Sequence, residues 1–233
     1  LNQEDFIIEY SRNTGAPVRF WDFNLILDNQ RLRLPGERPE DWLHNNAIYY
    51  DEETDALIIS GRAQSAVVSV DYESSEVNWI ISDHYGWSGD LATKLLTPVD
   101  ESGSPIDVSN IDFWPYGQHA ALTMPNGNIL MYDNGRYRNF YRNRNAPAAS
   151  YSRAIEYEID TQNMTIRKVW EFDYNKTLFT PFTGDVDYFE ENGHRLIGFM
   201  WGSGNTPRFF ELDQNDQILF EATINTGSNY YRM

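Results

Sequence analysis

The sequence predicts an all-β fold of repeated four-stranded units, from period-two apolar alternation, turn-rich punctuation and a strand layout that recurs three times. Alternating runs occupy Phe6 to Tyr10, Val18 to Phe23, Ala47 to Tyr50, Ala56 to Ser60, Ala66 to Tyr72 and Val77 to Ile81. They are rich in Val, Ile, Tyr, Phe and Trp, and clusters of Asn, Asp, Gly and Glu divide them, as antiparallel strands joined by turns require. Helical periodicity is scarce. Gly89 to Leu96, ahead of Pro98, is expected to make one or two helical turns.

Taken in order, the N-terminal stretch supplies two strands, Asp5 to Ser11 and Val18 to Asn24, read as the outer pair of an incomplete unit. The first whole unit, residues 44–81, comprises His44 to Tyr50, Ala56 to Ser60, Val67 to Asp71 and Val77 to Ile80. The second, 119–172, comprises His119 to Met124, Asn128 to Met131, Ala154 to Asp160 and Val169 to Phe172. The third, 185–223, comprises Asp185 to Phe189, His194 to Ile197, Arg208 to Asp213 and Ile218 to Glu221, and residues 228–233 are read as the start of a further unit. Equivalent strands begin at Leu57, Ile129 and Leu196, so the repeats are longer than the roughly 40 to 50 residues of compact propeller repeats. The excess lies in the connections 82–118 and 133–152. Four-stranded units repeated about an axis are blades of a β-propeller, whose innermost strands line a channel. The expectation is a single all-β propeller domain or fragment spanning 1–233, an incomplete ring in this chain.

Composition narrows the function. With 35 acidic against 18 basic residues in 233, the formal charge is −17, which argues against a basic groove for nucleic acid. Hydrophobic residues make up 41% and charged ones 23%, with 7 Trp, 15 Tyr and 13 Phe, so a substantial core is available. There is no apolar run of about 18 residues, and no membrane span is expected. Cysteine is absent, which removes disulfides, thiolate metal sites and cysteine nucleophiles. The chain begins with Leu and shows no charged segment leading into an apolar stretch. Either a leader has been removed or the chain is part of something longer.

Two of the four histidines, His44 and His119, hold equivalent positions at the start of innermost strands in consecutive repeats. In a propeller that register brings both to one mouth of the channel. The third repeat carries Asp185 there, able to orient or protonate an imidazole or simply to satisfy a turn. Arginines return to the same end of the strands: Arg62 follows the second strand of the first unit, Arg136 and Arg138 follow the matching strand of the second, and Arg153 opens the next. On an acidic scaffold such guanidiniums suit sulfate, phosphate or carboxylate oxygens, or else pair with surface carboxylates. His194 reads as a turn residue, and His84 as a polar residue among loop aromatics. Phosphate loops, serine elbows and zinc-helix motifs are absent. His44, His119 and Asp185 form a conceivable metal set, but the adjacent arginines disfavour a cation, so neither metal nor cofactor is expected.

At these residues the chain resembles the bacterial arylsulfate sulfotransferases. The resemblance is carried by Asp41-Trp-Leu-His-Asn-Asn46, Gly61-Arg-Ala-Gln-Ser-Ala66, Leu95-Leu-Thr-Pro-Val-Asp100, Gly117-Gln-His-Ala120, Tyr132-Asp-Asn-Gly135 and Tyr151-Ser-Arg-Ala-Ile-Glu-Tyr157, continuing to Val169-Trp-Glu171. It implies a six-bladed, exported, periplasmic or secreted enzyme that moves a sulfuryl group from a phenolic sulfate ester to a phenol without a nucleotide donor. A transiently sulfated histidine, further histidines and an arginine serve that family. His44 and His119 match two of its histidines and Arg138 its arginine; Arg62 and Arg153 are added as further sulfate-holding candidates. The family's nucleophilic histidine is expected near Gly198 to Arg208, where this sequence has none. The resemblance therefore leaves His119 or His44 as nucleophile, direct transfer, or a non-catalytic propeller that binds sulfated or aromatic ligands. The implied partners are small-molecule donors and acceptors, and association into a homo-oligomer is left open.

Overall fold

The computed structural model describes residues 5–109, 111–200 and 206–224. Strands β1 (Phe6–Tyr10) and β2 (Pro17–Asp22) form a two-stranded antiparallel sheet that runs into a one-turn helix, α1 (Phe23–Ile26), absent from the sequence expectation. The Asp22 side chain caps that turn by accepting from the Asn24 backbone N–H. Next comes a four-stranded antiparallel meander, β3 (Asn45–Asp51), β4 (Ala56–Gly61), β5 (Ala66–Asp71) and β6 (Val77–Ile81).

Helix α2 (Gly89–Ala92) is a single turn, and β7 (Thr97–Pro98) follows it. A second meander contains β8 (His119–Thr123), β9 (Ile129–Asp133), β10 (Arg153–Asp160) and β11 (Thr165–Phe172). Here β7 adds as a fifth strand, parallel to β11, which alternation did not predict. Two residues with a proline are too few to show a period. A third meander runs β12 (Asp185–Phe189), β13 (His194–Phe199), β14 (Arg208–Leu212) and β15 (Ile218–Thr223). Residues 228–233, expected to open a further unit, lie outside the described residues.

The result is an all-β, propeller-like array of several sheets, none of them closed. Its packing follows from the two-residue period. Along β4, Ile58 enters the core shared with the second meander, whereas Leu57 and Ile59 enter the core shared with β1 and β2. Likewise Ile129 and Met131 of β9 face the first meander, and Leu130 and Tyr132 face the third. A sheet covered on both faces has no polar face, which is why Ala56 to Gly61 is buried throughout. The connections between 82 and 118 and between 133 and 152 contribute Leu96, Phe113, Trp114, Tyr116, Phe140 and Tyr141 to the first of these cores. Their extra length is packed structure. Among the described residues no helix is long and apolar enough to cross a membrane.

Candidate functional site

The first strands of the three meanders lie next to one another, and Ala47 to Tyr49, Ala120 to Leu122 and Asp185 to Asp187 line one groove between them of about 240 Å³. His44 immediately precedes β3, His119 opens β8 and Asp185 opens β12, so all three occupy the same end of these strands. Each histidine is followed by a break in strand register, between Asn45 and Ala47 and between His119 and Leu122. Positive φ angles occur at His44 (51°) and Ala120 (52°). Bulges of this kind re-aim side chains at a strand end.

The two imidazoles have different partners. His44 Nδ1 lies 2.6 Å from Asp41 Oδ2, and the side chain is about one-third exposed. His119 Nδ1 lies 2.7 Å from Asn134 Oδ1, and the residue is buried. The Asn134 amide nitrogen donates to the carbonyls of Thr180 and Thr183, both at 2.7 Å, which fixes its oxygen as the acceptor facing His119. His119 Nδ1 is then the donor to that oxygen. Burial, the largest cause, pushes the His119 pKa down to about 3; Arg62 and His44 add to the depression and the Asn134 bond opposes it. At neutral pH this is a neutral imidazole in one tautomer.

Arg62 caps the end of β4, and its backbone N–H donates to the His44 carbonyl at 3.2 Å. Its guanidinium pairs with Glu37 (Nη2 to Oε1, 3.0 Å) and lies 4.9 Å from the Phe182 ring centre. Arg136 joins the same carboxylate at 2.6 Å and the same ring at 4.8 Å. Arg138 and Arg153 go elsewhere. Both contact Asp133 Oδ2, at 2.8 and 2.9 Å, and both are buried. Arg138 also donates to the Tyr151 carbonyl, while Arg153 donates to the Asp112 carbonyl and to Glu171. Burial disfavours the Asp133 carboxylate, but the two guanidiniums outweigh it and hold its pKa below the ordinary range.

The structure therefore brings His44, His119 and Arg62 together, and turns Arg138 and Arg153 into an adjoining buried knot. Asp185 accepts from the Val186 N–H at 3.2 Å and lines the groove. His194 pairs with Glu211 at 2.8 Å beside its hairpin turn, and His84 bonds the Leu96 carbonyl and packs against Trp114. Sequence reasoning passed over Asp41, Asn134 and Glu37. The first two stand inside motifs already quoted, Asp41-Trp-Leu-His44 and Asp133-Asn-Gly135. In the second, a side chain on Gly135, at φ +70°, would meet the Tyr151 carbonyl oxygen at 2.0 Å, so only glycine lets Asn134 sit there. Among the described residues no group of three or more His, Asp or Glu side chains gathers as metal ligands would.

The described structure is thus a propeller-like β scaffold with His44 and His119 at one end of its first strands and Arg62 beside them. Comparison with known proteins gives this scaffold a family. The Arylsulfotransferase (ASST) family model matches residues 2–232. Arylsulfate sulfotransferase AssT of Escherichia coli O6:H1 (strain CFT073) is 33% identical over 253 aligned positions, and AssT of Lelliottia amnigena 34%. Each alignment covers 90% of this chain but 41% of the relative, so the chain spans less than half the length of the curated relatives it matches. A solved Lactobacillus plantarum protein aligns over 97% of this chain and 52% of its own at 10% identity and a TM-score of 0.48, a likeness that decides nothing about blade number. The chain belongs to the arylsulfotransferase family.

Proposed function

We propose that this chain carries the histidine and arginine centre of an aryl-sulfate sulfotransferase, which moves a sulfuryl group from a phenolic sulfate ester to a phenol without a nucleotide donor. The observation that carries the reading is the neutral, single-tautomer His119 beside His44 and Arg62, in a chain of this family. In the first half-reaction His119 Nε2 attacks sulfur, the S–N bond forms as the sulfur to aryl-oxygen bond breaks, and the phenolate leaves. His44, oriented by Asp41, gives that oxygen its proton. In the second half His44 takes the proton of the acceptor phenol, whose oxygen attacks sulfur and releases Nε2. A loose transition state leaves charge on the sulfuryl oxygens, so positioning and positive charge supply much of the rate. Arg62 is assigned that task with Arg136; Arg138 and Arg153 support it from behind by fixing the turn through Asp133. A periplasmic setting and small phenolic partners go with this reading.

The test uses 4-nitrophenyl sulfate and phenol with no nucleotide present. Acceptor-dependent nitrophenol release, and a sulfated His119 by mass spectrometry after donor alone, are expected. Sulfation at neither His119 nor His44 would sink the assignment of the nucleophile. Nitrophenol release that ignores the acceptor would sink the transfer reaction itself.

A further inference from the structure

We propose that Glu37 sets the charge of the anion this site accepts, selecting singly charged sulfate esters over doubly charged phosphate monoesters. The inference rests on the sulfuryl-transfer reading and adds a specificity residue to it. Glu37 comes from the connection between α1 and β3, Arg62 from the turn after β4 and Arg136 from the turn after β9. Glu37 Oε1 meets both guanidiniums, at 3.0 and 2.6 Å, and its Oε2 accepts a further bond from Arg62 Nη1 at 3.1 Å. Phe182 lies against both arginines. The Glu37 side chain is only 6% exposed, so water does little to screen the negative charge it brings.

The charge count gives this carboxylate its role. Two guanidiniums without an acid make a clamp suited to a dianion, since each matches tetrahedral oxyanions bidentately. Glu37 removes one of the two units. The neighbouring Asp41 is paired with His44 at 2.6 Å, and His119 is neutral. Asp185, at the head of β12, adds only negative charge at the same end. A sulfate monoester carries one negative charge at neutral pH, whereas a phosphate monoester, with its second pKa near 6, carries close to two. The two esters match in shape and differ in charge, so shape alone would not separate them.

A unit of positive charge added at the site acts twice as strongly on a dianion as on a monoanion. Glu37→Gln in the full chain is therefore expected to raise affinity for 4-nitrophenyl phosphate relative to 4-nitrophenyl sulfate by roughly tenfold or more, read by calorimetry at slightly alkaline pH. An unchanged ratio in a variant with wild-type circular dichroism and melting would overturn the proposal. Arg136→Gln covers the case in which Glu37→Gln does not fold: it should weaken both esters, the phosphate more, and an equal loss of both overturns the proposal as well. Transfer to phenol is measured in parallel. A shifted ratio without turnover refutes the transferase reading and leaves the charge role standing; turnover with an unshifted ratio refutes only the role of Glu37. Failure of wild type to bind either ester refutes both.

Discussion

Two clusters in this molecule have the same formula, two arginines on one carboxylate beside an aromatic ring, and differ in the other acceptors around them. In the knot on Asp133, Arg138 and Arg153 are buried, and the surplus positive charge meets Glu171 and the carbonyls of Tyr151 and Asp112. In the cluster on Glu37, Arg62 and Arg136 lie across the Phe182 ring beside two histidines. A ring face satisfies a cation only in part. The knot meets two carboxylates, Asp133 and Glu171, with its two guanidiniums, whereas the Glu37 cluster sets two guanidiniums against one carboxylate. An arginine's usefulness to a substrate thus depends on how many carbonyls and carboxylates the adjacent turns aim at it, more than on how many arginines the sequence collects.

The largest effect expected from this difference is on stability. Asp133→Asn leaves two buried guanidiniums without their shared carboxylate and should cost about 3 to 5 kcal/mol, read from the urea midpoint. Glu37→Gln keeps a hydrogen-bond acceptor near less deeply enclosed arginines, and should cost about 1.5 to 3 kcal/mol. Equal losses would erase the distinction between knot and site.

The next effect concerns the imidazole that both clusters flank. Nitrogen NMR should find His119 as the Nδ1–H tautomer at neutral pH and still unprotonated near pH 4, because its pKa lies at about 3. Protonation of His119 near pH 6 would remove the physical basis for a neutral imidazole held by burial. Asn134→Ala frees the tautomer and is expected to slow sulfuryl transfer about a hundredfold. The NMR spectrum of the same variant separates a tautomer change from simple unfolding.

Which parts of this were legible in the sequence follows from periodicity. Strands that bury both faces, such as Ala56 to Gly61, announce themselves, and repetition of the meander aligns His44 with His119 before any coordinates are known. Glu37 and Phe182 stand in connections that repeat nowhere, so no period carries their position. The loop after β9 sends its two arginines to different partners for a geometric reason. Gly135 and Tyr137 both have positive φ, at 70° and 51°, which sends Arg136 towards Glu37 and Arg138 back to Asp133. Residues two apart share a face only while the backbone stays extended.

The smallest effect is a slope against pH, and it runs opposite to that of His119. Asp5 is buried beneath the His44 turn, and its pKa is pushed up to about 7, first by burial and then by Asp41 and Asp22, against hydrogen bonds from the Leu43 and His44 backbone. The folded chain therefore keeps a proton on Asp5 that the unfolded chain has released above its ordinary value of 3.8. The stability this provides is fully present below the unfolded pKa and is lost as pH rises through about 7. His119, with its depressed pKa, contributes stability that is present above its ordinary value of 6.5 and is lost as pH falls towards about 3. Asp5→Asn should abolish a decline spread between about pH 4 and about pH 7, where it opposes the His119 slope, and so steepen the net rise of stability across that window by at most about 1.4 kcal/mol per pH unit. Parallel urea-midpoint curves for wild type and Asp5→Asn would mean that Asp5 is ionised throughout and that the turn carrying His44 rests on a charged carboxylate.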